Sequence, residues 1–291
     1  MNFCRVLVRN MSQGKKWKPL NRVGIVGVPF EKGQKKYGVS IAPAAMRSAG
    51  LMKELSEMEG LDIKDYGDIE TPACEESVCV YNMTDLPAVS ACNKKLSQKV
   101  SEVLTDDRVD MILLWVDAHA DINTNKTSDS GSVHGMPVAL LVKELDNYWP
   151  FLPTMEWQSP KFSIKDLGYI GLRSVDKYER LAIEKYNVPT FAMEDIDELT
   201  HNYTVNTTNF RGGLSLREGI KLMEIVHATG RLRAVDLVEI NPAIGSEADR
   251  RHTIQAGMAI LKAAVGFSRR GSAPRGVLDL PLQTPSGESS T

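Results

Sequence analysis

Apolar runs and amphipathic stretches alternate along this chain. Residues 22–28 (RVGIVGV) are rich in β-branched side chains and close at Pro29, which predicts a buried strand ending at residue 28. A polar loop, EKGQKKYGVS, follows. Ser40 is placed to cap a helix with Pro43 in its first turn and Ala45, Ala49, Met52 and Leu55 on one face, stopped by Gly60. Residues 61–66 predict a second strand, turned by Gly67-Asp68. Within residues 86–104, Val89, Cys92, Leu96, Val100 and Val103 recur at steps of three and four, the period of a helix. Residues 111–116 (MILLWV) form six apolar positions in a row, a strand buried on both faces. Val138, Leu141, Val142 and Leu145 then mark a helix.

The second half repeats the alternation. Strands are predicted at 168–172 (GYIGL), 188–193 and 234–240 (AVDLVEI), with a helical segment around Tyr178, Leu181 and Ala182. Residues 200–210 hold neither an apolar run nor a helical period and read as loop. Ser215 and Glu218 form a capping box that opens a helix ending before Gly230. A last helix spans about 249–269, with Ile254, Met258, Leu261 and Val265 inward. Strands separated by helices over and over predict an α/β fold of three layers, a parallel sheet with helices on both faces.

Composition narrows the picture without changing it. The chain has 291 residues, 42% hydrophobic and 25% charged, with no repeat and no interdomain linker, so residues 22–280 are expected to form one domain. Residues 281–291 are expected to be a disordered tail. A net charge of −2 gives no electrostatic reason for nucleic acid or a membrane surface as partner and favours a small-molecule substrate. No stretch approaches the ~18 consecutive apolar residues of a membrane span. Cys4, Cys74, Cys79 and Cys92 follow neither a disulfide framework nor a zinc pattern and are expected as free thiols. Residues 1–21 are a basic leader: Arg5, Arg9, Lys15, Lys16 and Lys18 stand there without an acidic residue. That is the composition of a mitochondrial transit peptide, the alternative being a short solvated basic tail, so the expected location is mitochondrial or cytoplasmic.

The chemistry concentrates after the strand 111–116. Asp117, His119 and Asp121 stand at alternate positions, and in an extended backbone alternate side chains share a face. Carboxyl ends of strands are where open α/β sheets place their sites. A mixed oxygen and nitrogen set without thiolate suits Mn²⁺, and less distinctively Zn²⁺ or Fe²⁺; the bland alternative is a solvated turn. His134, Asn123, Ser130 and Ser132 lie in the loop that follows and are ordinary polar groups when taken alone. Glu239 ends the strand 234–240, where it either meets a cationic group or is a solvated terminus. Asp176, taken alone, reads as a helix cap.

Five ordered blocks, DAHADINT (117–124), SGSVHGMPVALL (130–141), YIGLRSVD (169–176), RGGLSLREG (211–219) and DLVEINP (236–242), resemble the signature blocks of the arginase family of ureohydrolases. VGIVGVPFEKGQKKYGV and APAAMRSAGL resemble its amino-terminal region. The resemblance implies hydrolysis of L-arginine to L-ornithine and urea at a two-manganese centre, in a homo-oligomer. By position it implies metal ligation by Asp117, His119 and Asp121, proton shuttling by His134, and contact of Asn123 and Ser130 with the amino-acid end of the substrate. It also implies that Asp176 receives the α-amino group and that Glu239 meets the guanidinium. The α-amino contacts favour arginine over agmatine, the substrate of the sister family agmatinase.

Two family blocks are missing. A Gly-Gly-Asp-His block, expected ahead of the DAHAD strand, and a Ser-Phe-Asp-x-Asp block, expected ahead of RGGLSLREG, are both absent. The resemblance implies that each ends an inner strand of the sheet, so the expected fold is arginase-like with two inner strands missing. Three of the family's six protein ligands remain, and at most one weakly held Mn²⁺ is expected. The expectation is an arginase-like hydrolase of impaired activity; the alternative is a catalytically inactive form acting through oligomers of a full-length enzyme.

Overall fold

The computed structural model describes residues 3–9, 22–71, 77–103, 111–199, 213–269 and 271. The amino-terminal half runs β1 (Phe3–Arg9), β2 (Arg22–Gly27), α1 (Ala42–Ser48), α2 (Leu51–Ser56), β3 (Asp62–Asp68), β4 (Cys79–Val80), β5 (Met83–Thr84) and α3 (Leu86–Val103). Then come β6 (Met111–Val116), α4 (Pro137–Leu141), β7 (Leu167–Leu172), α5 (Lys177–Tyr186), β8 (Thr190–Ala192), α6 (Met193–Leu199), α7 (Leu216–Ala228), β9 (Leu232–Val238) and α8 (Glu247–Ala264).

The larger sheet has five strands in the order β8-β7-β6-β1-β9, and β2 pairs with β3 in a separate sheet. β6, β7 and β8 are parallel neighbours. β1 lies antiparallel to both β6 and β9, so those two run parallel to each other with a reversed strand between them. The expected α/β architecture is present, but among the described residues it is divided into three sheets, the third being the short β4–β5 pair, and it is not parallel throughout.

Side-chain alternation on β6 joins the sheet to both helical layers. Leu113 and Trp115 point to one face, packing with Leu167 and Tyr169 of β7, Val138 and Ala139 of α4, and Ile183 of α5. Leu114 points to the other, where Met223 and Val226 of α7 meet Ala263 and Ala264 of α8. Period-two side chains on a strand covered on both sides produce this division. The β2–β3 pair is held to the rest by a third cluster, in which Met46, Leu51 and Leu55 of α1 and α2 pack on Met258 of α8.

Several local expectations change. The helix expected from Ser40 is two short ones, because Gly50 takes a left-handed φ of 97° between them. Ser40 caps neither: its hydroxyl donates to Glu31 Oε2 at 2.7 Å, inside a 3-10 turn. Residues 193–199 are helical where no helix is expected, with the Asp195 carboxylate accepting from Ala192 N at 2.8 Å. The strand β1 falls in the stretch expected to be a basic leader. The loop 200–210 and the tail 281–291 lie outside the described residues. Cys79 and Cys92 are free thiols, the latter buried.

Candidate active site

Asp117, Arg173 and Glu239 follow the carboxyl ends of β6, β7 and β9, so parallel strand direction alone brings three charged side chains to one edge of the sheet. All eight residues expected at a site, Asp117, His119, Asp121, Asn123, Ser130, His134, Asp176 and Glu239, line a single cleft of about 3500 Å³. Its walls include the whole of β2 on one side and of β9 on the other.

The turn after β6 is anchored atom by atom. Asp117 N donates to Ile170 O at 3.1 Å, and Ala118 O accepts from both Arg173 N and Ser174 N at 3.0 Å. The Tyr169 hydroxyl, buried beneath the turn, donates to Ala120 O at 2.7 Å. Val138 N donates to Asp121 O at 3.0 Å, so α4 begins against the turn. Ile122 N donates to Glu179 Oε1 at 3.2 Å, and Glu179 Oε2 accepts from Asp176 N at 3.0 Å. These bonds tie the turn to β7, α4 and α5.

Within this frame the site residues fall into pairs. Asp117 Oδ1 accepts from His119 N at 2.9 Å and lies 3.5 Å from His119 Nδ1. The Asp117 side chain is buried whereas the His119 ring is half exposed, and hydrogen bonding to Asp117 raises the imidazole pKa above its ordinary value. Burial lowers the Arg173 guanidinium, an effect that nearby Asp117 opposes. Asn123 Nδ2 donates to Asp176 Oδ2 at 3.0 Å, and Thr127 Oγ1 donates to Asn123 Oδ1 at 2.8 Å. His134 Nδ1 lies 3.8 Å from Glu239 Oε1. His134 N donates to the carbonyl of Gly33, a residue with φ of 84° where an added Cβ would meet Val89 at 2.9 Å. Ser130 Oγ accepts from the neighbouring Ser132 N at 3.2 Å and lies 3.5 Å from the Ser128 hydroxyl.

The convergence of Asp117, His119 and Asp121 expected from alternate positions is not realised. Among the described residues, no three His, Cys, Asp or Glu side chains are arranged to hold a metal ion. The reason is local. β6 ends at Val116, the backbone bends, and Asp121 takes a left-handed φ of 50°, so the extended-chain rule stops applying where the ligands begin. Glu239 also holds a left-handed backbone, with φ of 62°. That conformation costs roughly 1–2 kcal/mol in a residue with a Cβ and is concentrated at functional sites.

The Arginase family model matches residues 21–113, 107–211 and 205–266. The chain belongs to the arginase family. The match comes in three pieces that meet at 107–113 and 205–211. Arginase-2, mitochondrial, of Bos taurus is 33% identical over 91% of this chain and 90% of its own length. Arginase-1 of Oryctolagus cuniculus is 32% identical over 86% of this chain and 94% of its own. The alignment with the bovine arginase runs to 321 positions against a chain of 291, so that arginase carries residues this chain lacks. Among solved structures, an arginase of Bacillus caldovelox superposes with a TM-score of 0.70 at 25% identity, covering 86% of this chain and all of that one. An arginase of Bacillus subtilis gives 0.67 at 26% identity. The arginase fold is thus present.

Glu179 escaped the sequence reading. It is buried, and burial raises its carboxyl pKa even though two backbone amides donate to it. The signal was available: Asp176-x-x-Glu179 has capping-box spacing, and its carboxylate here reaches both its own helix start and the metal-ligand turn. Replacing Glu179 by Ala leaves the buried Ile122 amide without an acceptor, an expected loss of about 1–3 kcal/mol. Chemical denaturation reads it, and an unchanged midpoint would remove Glu179 from the anchoring of the turn.

Proposed function

We propose that this chain descends from an enzyme of L-arginine hydrolysis and retains parts of the substrate site while its own manganese-dependent turnover is severely reduced or absent. The relatives and solved structures compared above are arginases. The observation that carries the reduced activity is the lack, among the described residues, of any three metal-binding side chains gathered at one point. Two absent blocks of the family pattern agree with it, as do the three-piece match and the longer alignment of the bovine relative.

The residues as placed do not fit a two-manganese centre, and no hydrolytic step follows from them. What remains is recognition. The paired Asp176 and Asn123 offer a carboxylate for an α-amino group, and Glu239 offers a second carboxylate for a guanidinium. His134, 3.8 Å from Glu239, is proposed to lie at the guanidinium end of the ligand. L-arginine is the proposed ligand and manganese the proposed metal, with at most one ion held weakly by Asp117, His119 and Asp121.

The deciding experiment is urea release from L-arginine with added Mn²⁺, run beside a full-length arginase at equal protein concentration. Turnover at least about 10³-fold below that of the comparison enzyme is expected, the scale of losing a metal-activated hydroxide. Turnover within tenfold would overturn the reading. A mitochondrial location is proposed from the basic composition of residues 1–21 and from the name of the bovine relative, with the cytoplasm as the alternative. No described helix is long and apolar enough to cross a membrane.

A further inference from the structure

We infer that residues 3–9 serve as an inserted sheet strand that holds the two halves of the candidate site together, and that they stay with the folded protein instead of leaving as a cleaved leader. The pairing carries this. β1 matches β6 along its length, from Cys4 against Val116 to Arg9 against Met111. On its other edge it matches β9, from Phe3 against Val238 to Val8 against Leu232, with one register shift between Leu7 and Val8. Among the described residues, β9 has no strand partner except β1.

The consequence is positional. β6 leads into Asp117 and β9 leads into Glu239, and the amino end of β1 pairs with the last residues of both strands. Without β1 the sheet order breaks between those two strands, and the link from the Asp117 side to the Glu239 side passes only through packing of Leu114 and Val235 against the α7–α8 layer. An unpaired strand edge in that place leaves a row of backbone amides and carbonyls without partners. The sequence FCRVLVR suits the role, since Phe3, Val6 and Val8 are strand formers and no proline or glycine interrupts it. This role does not depend on catalytic competence, so it stands or falls separately from the proposed loss of turnover.

Hydrogen exchange followed by mass spectrometry tests it on the full chain. In the unaltered protein, amides of residues 4–8 are expected to exchange at least about 100-fold more slowly than in an unstructured peptide. Random-coil exchange there would overturn the inference outright. Val6→Pro removes a donor at the centre of the strand, opposite Leu114 and Val235. It is expected to speed exchange in residues 232–238 by about tenfold or more while Ser12→Pro, beyond the strand, leaves them unchanged. Equal protection of 232–238 in V6P and the unaltered chain would also overturn it.

Discussion

Inserting a Gly-Gly-Asp-His segment ahead of Met111 together with a Ser-Phe-Asp-x-Asp segment ahead of Arg211 is expected to raise manganese-dependent urea release by at least about 10³-fold. The reasoning starts from the donors. Asp117 and His119 stand side by side at the end of β6, but Asp121 is turned by its left-handed backbone, and no third ligand comes within reach among the described residues. A manganese pair, if held there, would supply water activation near neutral pH, and added carboxylates would offset the charge of the ions. The inserted aspartates and histidine would supply those donors opposite a turn that is already anchored by Tyr169, Glu179 and Arg173.

Either insertion alone is expected to give less than about tenfold, because half of the added ligands leaves one ion without its cage. Calorimetric titration with Mn²⁺ gives an independent reading, rising from at most one weak equivalent to two. Two tightly bound equivalents with no gain in urea release would show that the remaining cleft, not the metal set, limits turnover. A double insertion that binds no manganese would show that the missing blocks are not what the site lacks.

The strand-end chemistry was legible in the sequence wherever it depended on a local run. Leu113 and Trp115 of MILLWV are buried on one face and Leu114 is partly buried on the other, in keeping with the covered strand its apolar run predicts, and the polar residues after it lie at a sheet edge. Asp117 and Glu239 lie at one sheet edge because β6 and β9 run the same way, and the eight candidate residues line the same large cleft. What local patterns do not contain was missed. β1 earns its place through Leu114 and Val235, more than one hundred and two hundred residues away along the chain, and no window around FCRVLVR holds that information. Its arginines and lack of acids therefore argued for a leader. Asp121 does not lie on an extended strand, since β6 ends at Val116 and Asp121 takes a φ of 50°, which an Asp tolerates and the sequence does not announce. Helix α6 was hidden because the strand-like residues 188–193 run directly into it.

The stability of the site edge is expected to rest most heavily on Trp115. Replacing it by Ala should cost about 3–5 kcal/mol, the range for deleting a buried large aromatic. Trp115 is 1% exposed, and its strand neighbour Tyr169, matched to it in register, is also 1% exposed. Opposite residues on adjacent strands pack on one face, so the indole supports the ring whose hydroxyl holds Ala120 in the turn. A domain has about 5–15 kcal/mol in total, so a loss of that size should sharply lower the unfolding midpoint of W115A. Trp115→Phe keeps the ring stacking and should lose less. Phe191→Ala, on the edge strand β8 and 59% exposed, is expected to stay within about 0.5 kcal/mol of the unaltered chain. Urea denaturation followed by far-ultraviolet circular dichroism compares the three. Similar midpoints for W115A and F191A would mean that the layer between β6, β7 and α4 does not carry the fold, and the anchored turn that carries Asp117 would then need another support.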